Sequence, residues 1–205
     1  MKTKKDLKIA KKKQEIMDTC WEIYLQHGYF AVSFNSISEI IICDRTTIYN
    51  YYNSVEDIFI DILENAYSIW LERLKCHFDE TTQMTKEEFC AHIVDSQNQI
   101  TKYFKLLANH IKIIDKKGNP ENLIKFSNTI QAVNPIFYKS LTKYFPDLSD
   151  TQKNDFIYFW SVITDGMIQT KSFQEKTNYL QYFADPSSDS DTFFYKTLLM
   201  FMNNL

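Results

Sequence analysis

Hydrophobic and polar residues follow a helical period along most of the chain. From Ile9 to His27, apolar side chains return every three or four positions, which predicts one amphipathic helix. Gly28 follows at the point where many helices end in a left-handed residue, so the first helix should stop there. The pattern therefore predicts a long helix near the N-terminus.

Two short amphipathic segments follow this helix. Ser33 can cap a segment from Phe34 to Ile41, and Asp44 can cap another from Arg45 to Tyr51, in which Ile48 would face inward. A long helix followed by two short helices with a tight turn between them is the layout of a three-helix DNA-binding unit. Residues of about 34 to 52 are therefore predicted to form a helix-turn-helix.

A longer helix begins after this unit. Ser54 can cap an apolar stripe that runs from Ile58 to Phe78, and a helix of about 24 residues spans about 36 Å. Such a helix must leave the small N-terminal unit, so the domain boundary is predicted to lie within it. Asn134 and Pro135 resemble a cap and a first helical residue. Further helices are predicted at about 86–115, 121–133, 135–144, 150–173 and 191–202, with a mobile acidic segment at about 185–190.

Composition supports an all-α fold. The chain has 205 residues with only three glycines and four prolines, whereas β-sandwiches and Rossmann folds need many turn residues and glycine-rich phosphate loops. No stretch is apolar enough to span a membrane, and no secretory signal is visible, so a soluble cytoplasmic protein is expected. The four cysteines stand singly inside apolar patterns and are predicted to be reduced core residues: Cys20, Cys43, Cys76 and Cys90.

No pattern in the chain indicates catalysis, a metal site or a cofactor. The histidines are scattered, and the two close Cys/His pairs are sequence neighbours that point to different helix faces, so neither pair can chelate zinc. The protein is therefore predicted not to be an enzyme. The residues concerned are His27, His77, His92, His110, Cys76 and Cys90.

The net charge of −3 hides a basic N-terminus. Seven lysines between positions 2 and 13 face a single acidic residue, Asp6. Such a run is either a solvated tail or a contact to nucleic-acid phosphate, and charge alone does not decide between them.

Residues 28–37, Gly-Tyr-Phe-Ala-Val-Ser-Phe-Asn-Ser-Ile, and residues 47–58, Thr-Ile-Tyr-Asn-Tyr-Tyr-Asn-Ser-Val-Glu-Asp-Ile, carry a resemblance to a known family. They are similar to the helix-turn-helix of the TetR (tetracycline-repressor) family of bacterial regulators. A weaker similarity, Trp160 followed by Gly166, resembles the penultimate dimerisation helix of that family. The resemblance implies a DNA-binding domain at 1–54 and a helical ligand-binding and dimerisation domain at 55–205. It also implies a ligand-responsive repressor that binds a palindromic operator as a homodimer.

The predicted recognition helix offers polar side chains to DNA while its back stays apolar. By resemblance, Arg45 would contact a guanine edge, Tyr49 and Tyr51 phosphate or thymine methyl groups, and Thr47 a phosphate. Ser33 would offer its hydroxyl and backbone N–H to another phosphate. The predicted DNA-binding residues are Ser33, Arg45, Thr46, Thr47, Tyr49, Asn50 and Tyr51.

Two residues depart from the family pattern. Ile42 stands where relatives carry glycine in the turn between the two short helices, so that turn is either strained or differently shaped. Val55 stands where many relatives carry a lysine that anchors the long helix to phosphate. These departures keep open an alternative function: a helical small-molecule or partner-binding module that has lost operator binding.

Two further sets of residues are predicted in the body of the protein. An effector of unknown identity would contact aromatic side chains, namely Trp70, Tyr103, Phe104, Phe126, Phe137 and Trp160. Helices at 150–173 and 191–202 are apolar on more sides than a single core needs, which predicts a dimer interface. Its residues would be Phe156, Phe159, Trp160, Ile163, Gly166, Met167, Phe194, Leu198 and Phe201.

Overall fold

The computed structural model describes residues 3–174 and 190–205, with side chains described for all of these except 169–174 and 190. Every regular element in these ranges is helical, as the composition predicts. The elements are α1 (Lys4–His27), a 3₁₀ turn (Tyr29–Ala31), α2 (Phe34–Ile40), α3 (Arg45–Tyr49), α4 (Val55–Glu80), α5 (Lys86–Asn98), α6 (Thr101–Lys117), α7 (Pro120–Gln131), α8 (Val133–Tyr144), α9 (Asp150–Gln174) and α10 (Ser190–Asn203).

Local signals set the ends of the first helices. Thr3 caps α1 together with Asp6, so the helix begins at Lys4 rather than near Ile9, and the basic residues from Lys4 to Lys13 lie on a helix. Gly28 ends α1 with φ +82°, a conformation that glycine adopts without steric cost. Asp44 occupies the N-cap position of α3 but forms no side-chain capping bond there.

The helix predicted at 86–115 is two helices, because the chain turns at Gln99 and Ile100. The Ile100 N–H donates to the Gln97 carbonyl in a tight turn, and the Ile100 side chain is buried. No glycine or proline marks this turn, so the periodicity did not predict it. α8 begins at Val133 with Ala132 as its N-cap, so the predicted Asn134 cap is wrong. Pro135 fits inside the first turn, where backbone N–H groups have no helical partner.

Contacts divide the described chain into two compact units. The first unit comprises the described residues up to Asn65 together with Lys112–Ser127. The second unit comprises Ala66–Ile111 and the described residues from Asn128 to the C-terminus. Helices α4, α6 and α7 therefore contribute residues to both units.

In the first unit, the core is aliphatic with a small aromatic stack. The Tyr29 ring lies against the ring of Phe59, with centroids 5.0 Å apart and an interplanar angle of 15°. Burial of such side chains stabilises a fold by roughly 1.5–3 kcal/mol each. The core is completed by Ile16, Cys20, Ile23, Ile37, Ile48, Ile58 and Leu63.

The second unit has an aromatic core. Phe137 is fully buried and meets Trp160 edge to face, with centroids 4.7 Å apart. α10 packs against α5 and α9, and α8 packs against α9. The other large buried side chains include Phe78, Phe89, Phe156, Leu198 and Met202. Across the ranges that the structure describes, no helix has the length and apolar character needed to cross a membrane.

Part of the acidic segment predicted at 185–190 lies outside the described residues, and Ser190 already belongs to α10.

Candidate DNA-binding surface and ligand cavity

α3 presents its polar residues outward and is anchored by one buried side chain. Ile48 is fully buried, and Tyr52, just after the helix, is nearly so. The remaining predicted DNA-binding residues of this segment all reach the surface: Arg45, Thr46, Tyr49 and Asn50 are exposed, and Thr47 and Tyr51 are half-buried. The helix therefore has the polar outer face and apolar inner face that base contacts require.

Tyr49 is held in place on this face. Its ring meets the Phe34 ring edge to face, with centroids 4.7 Å apart. The Tyr49 hydroxyl accepts a hydrogen bond from the Arg45 guanidinium, with Nη2 and Oη 3.3 Å apart. Phe34 thus orients Tyr49, and Tyr49 in turn holds the side chain of Arg45 beside it.

The turn between α2 and α3 is strained at Ile42. This residue has φ +48°, in the left-handed region that β-branched residues rarely adopt. The Cys43 N–H donates to the Ser38 carbonyl at 3.1 Å, the bond that closes a Schellman motif with Ile42 at the position usually held by glycine. Because the Ile42 side chain is 91% exposed, no packing compensates for the strain. Of the two geometries left open by the sequence, the strained one is observed.

Ser33 caps α2 reciprocally with Ser36. The Ser36 N–H donates to the Ser33 hydroxyl at 3.0 Å, and the Ser33 N–H donates to the Ser36 hydroxyl at 2.9 Å. The predicted cap is therefore present. Because both groups already have partners, a phosphate contact by Ser33 would share them, and that contact stays a prediction.

Acidic residues at the start of α4 hold the surrounding segments of the first unit. The Tyr29 hydroxyl donates to Glu56 at 3.1 Å, and Lys117 lies 3.6 Å from the same carboxylate. The Asn119 N–H donates to Asp57 at 2.8 Å. Burial, followed by the charge of Glu56, raises the pKa of Tyr29, so its hydroxyl remains a proton donor.

Asp61 of α4 also links separate segments of the first unit. Both the Tyr52 hydroxyl and the Lys13 ammonium donate to its Oδ2 at 3.0 Å. Burial, then the charge of Asp61, raises the pKa of Tyr52. The connection ties α1 and the end of the helix-turn-helix to α4. Sequence analysis missed these acidic residues because their partners are distant in the chain.

A shallow groove of about 390 Å³ adjoins this surface within the first unit. Its lining includes Ser33, Arg45, Tyr49, Val55 and Lys117. Lys117 thus supplies a cation in the groove that Val55 also lines, and Val55 is the position where the family pattern described above has lysine. The sequence analysis did not select this residue, because it lies far along the chain from the motif.

The second unit contains a cavity of about 570 Å³. Of the residues predicted to contact an effector, Trp70, Phe104 and Trp160 line it, whereas Tyr103, Phe126 and Phe137 do not. Phe137 belongs to the core and Phe126 is buried in the first unit. Lining residues that the sequence analysis missed include Tyr67, Leu107, Ile130, Gln131, Asn134, Thr164 and Asp165.

The predicted dimer residues fall into two groups. Phe156, Trp160, Phe194 and Leu198 are buried within the protomer, so they serve its own core and cannot present a surface to a partner. Phe159 and Phe201 stack on each other at 4.0 Å and are half-buried, as are Ile163 and Met167. Gly166 is exposed, and a Cβ atom added there would meet no atom of the protomer. Among the side chains that the structure describes on α9 and α10, the large apolar residues that face outward are Tyr158, Val162, Phe193 and Met200.

The histidines are less scattered than the sequence suggests. His77 of α4 and His92 of α5 stack with ring centroids 3.5 Å apart and an interplanar angle of 13°. Burial, then the neighbouring His77, lowers the pKa of His92 to about 4. Within the described parts of the chain, no cluster of three or more metal-binding side chains occurs.

The cysteines of the chain are free, and two of them, Cys20 and Cys90, are buried as predicted. Cys76 is exposed and Cys43 is half-buried, so the core assignment was wrong for these two. Burial raises the pKa of the Cys90 thiol to about 12.

Comparisons with known proteins agree with the fold. No protein-family model matches the chain. The biofilm operon icaADBC HTH-type negative transcriptional regulator IcaR of Staphylococcus epidermidis is 21% identical over 172 residues, which cover 82% of this chain and 89% of that protein. A TetR/AcrR-family transcriptional regulator from Thermobifida fusca matches with a TM-score of 0.63 at 16% identity, over 94% of this chain and 97% of that one. The regulator FadR of Bacillus subtilis, in complex with stearoyl-CoA, matches with a TM-score of 0.59 at 18% identity, over 94% and 98%.

The chain has the fold of the TetR family of transcriptional regulators. This confirms the resemblance carried by residues 28–37 and 47–58.

Proposed function

We propose that this protein is a ligand-responsive transcriptional regulator, acting as a repressor and not as an enzyme, that binds a palindromic operator as a homodimer. The observation that carries the proposal is α3, whose polar face is exposed while Ile48 anchors its other side. The family fold and the similarity to a named negative regulator support it. DNA binding is assigned to residues 1–54, and ligand binding and dimerisation to residues 55–205.

Selection of bound fragments from genomic DNA by the purified full-length protein tests this function. We expect enriched fragments to share an inverted repeat whose half-sites lie about 34–36 Å apart or a multiple of that distance. Affinity should fall steeply as salt concentration rises, because phosphate contacts release counterions. Absence of enrichment would contradict operator binding and favour the alternative module, which would bind a small molecule or protein without DNA.

Dimerisation is proposed to use the outward apolar residues of α9 and α10. Tyr158 is 73% exposed and Met200 62% exposed, and an apolar surface formed by several such side chains marks an interaction site. Gly166 leaves open space on the same helix, so a second helix could approach closely there. Sedimentation at micromolar concentration should show a dimer. Gly166→Leu should weaken it and Gly166→Ala should weaken it less; a monomeric wild type would exclude this interface.

The cavity of the second unit is proposed as the effector site. Its volume lies within the range of about 300–1,000 Å³ typical of small-molecule sites. FadR of Bacillus subtilis, a regulator with the same fold, forms a complex with the small molecule stearoyl-CoA. Control of DNA affinity requires that the effector bind the DNA-competent and DNA-incompetent states with different affinities.

A further inference from the structure

The cavity of the second unit combines aromatic walls with one negative charge. We propose that its ligand is an organic cation with an apolar body, such as a lipophilic amine or quaternary ammonium ion. Its charge would lie between Asp165 and the aromatic rings that line the cavity. This inference rests on the proposed effector role of the cavity and names the chemical class of the effector. The rings concerned are those of Tyr67, Trp70, Phe104 and Trp160.

Three of these rings form a cluster on one wall. The Tyr67 ring meets Phe104 edge to face, with centroids 5.3 Å apart and an interplanar angle of 90°. The Trp70 ring lies 6.1 Å from that of Tyr67 and 6.3 Å from that of Phe104, also edge to face. Mutually perpendicular rings present faces in several directions. A cation within about 6 Å of a ring face is attracted by its quadrupole, and such clusters are how proteins bind quaternary ammonium groups.

Asp165 supplies the counter-charge. It is the one charged residue among the described residues that line the cavity, since no lysine, arginine or histidine is among them. Its carboxylate lies close enough to Tyr67 to contribute, after burial, to a raised pKa of that hydroxyl. Although Asp165 is exposed, its negative charge therefore acts on the aromatic cluster as well as on solvent.

The rest of the lining favours an apolar body and disfavours an anion. Leu107, Ile111, Ile130 and Ile168 supply aliphatic surface. The polar contribution comes from neutral groups: the amides of Gln131 and Asn134 and hydroxyls such as that of Thr164. A carboxylate or phosphate placed here would lose its hydration without a described cation to replace it, and it would face Asp165 as well.

A set of ligands matched in chain length tests the charge preference. Decyltrimethylammonium, decanol and decanoate carry ten-carbon chains, counting the carboxyl carbon of decanoate, with a positive, neutral and negative head. Each is titrated below its aggregation limit into full-length protein by calorimetry. We expect the cation to bind at least about fivefold more tightly than decanol, and decanoate to bind most weakly. Equal affinities, a preference for decanoate, or no binding of the cation would overturn the inference.

Asp165→Asn tests the assigned counter-charge. The side chain is exposed and the change preserves its shape, so the variant should fold normally, which a melting curve verifies. We expect affinity for decyltrimethylammonium to fall about five- to tenfold, with decanol unaffected. Asp155→Asn is the matched control, because Asp155 is exposed on the same helix and is not among the lining residues. Equal losses in the two variants would remove Asp165 from the site.

Failure of this inference can be separated from failure of the proposed function. Cation binding by a protein that enriches no DNA fragment would leave the ligand class standing and contradict the regulator. Enrichment of DNA fragments by a protein that shows no preference for the cation would support the regulator and contradict the proposed ligand class.

Discussion

The two units of this protein present their chemistry in opposite ways. In the first unit, the candidate DNA-binding residues lie at the N-cap of α2, on α3 and just after α3, and all of them reach the surface. In the second unit, the cavity is lined by residues from five helices, α4, α6, α7, α8 and α9, which are distant from one another in the chain. A site built on neighbouring residues leaves a motif in the sequence, whereas a site built from distant helices does not. The following predictions test whether the two units act separately, as this contrast implies.

The largest effect is expected from Arg45→Ala on DNA binding. Loss of one good base contact costs about 1–3 kcal/mol, or roughly 5- to 150-fold in affinity. Fluorescence anisotropy with a selected operator measures it, and binding of decyltrimethylammonium in the second unit should not change. The control is Arg73→Ala, the only other arginine, which lies in the second unit beside Gln99. Equal losses in the two variants would contradict the assignment of α3.

Ile42→Gly should stabilise the protein although it removes a large side chain. Left-handed φ costs a residue with a Cβ atom about 1–2 kcal/mol, and glycine recovers part of this after its own entropic cost. Urea unfolding should therefore show a free energy of unfolding raised by about 1 kcal/mol. Ile40→Gly is the control, because Ile40 ends α2 in helical conformation and the same change there should destabilise. If both variants lose stability, Ile42 contributes packing that outweighs its strain.

The lowered pKa of His92 predicts that the second unit loses stability in acid. Its pKa is about 4 in the folded protein against 6.5 ordinarily, so the unfolded chain binds the proton more readily between these values. Stability from this group is complete above pH 6.5 and is lost as pH falls toward 4. After allowance for solvent screening, the loss should be about 1 kcal/mol.

His92→Gln should flatten the pH dependence of the unfolding free energy, measured in urea from pH 7 to pH 4.5. His27→Gln, at an exposed histidine of α1, should leave it unchanged. If His92→Gln leaves the pH dependence of the unfolding free energy unchanged, another titrating group causes it.

The smallest effect per residue is expected from the lysines of α1. If Lys8 contacts a phosphate beside the operator, Lys8→Gln should lower the slope of log affinity against log salt by about 0.9. Lys75→Gln, at an exposed position of α4 in the second unit, is the matched control. Identical slopes in the two variants would identify the α1 lysines as a solvated helix face.

Sequence features that act over a few residues predicted the structure well. Ser33 sets a helix end through its side-chain hydroxyl and Gly28 through its backbone conformation, and both are observed where the pattern placed them. The turn at Gln99 and Ile100 was missed because it depends on burial of Ile100 and not on a turn-forming residue. Likewise, Trp70 and Phe137 are equally apolar in the sequence, yet one lines the cavity and the other fills the core.

The sequence by itself determined the helical class, the position of the helix-turn-helix and the polar residues that α3 exposes. It could do so because caps, periodicity and the recognition motif act between residues that are close in the chain. Only the tertiary structure decided that Ile42 adopts a positive φ, that Lys117 and Val55 line the same groove, and which apolar residues of α9 face outward. It also decided that Asp165 lines an aromatic cavity, because that juxtaposition arises only when distant helices pack together.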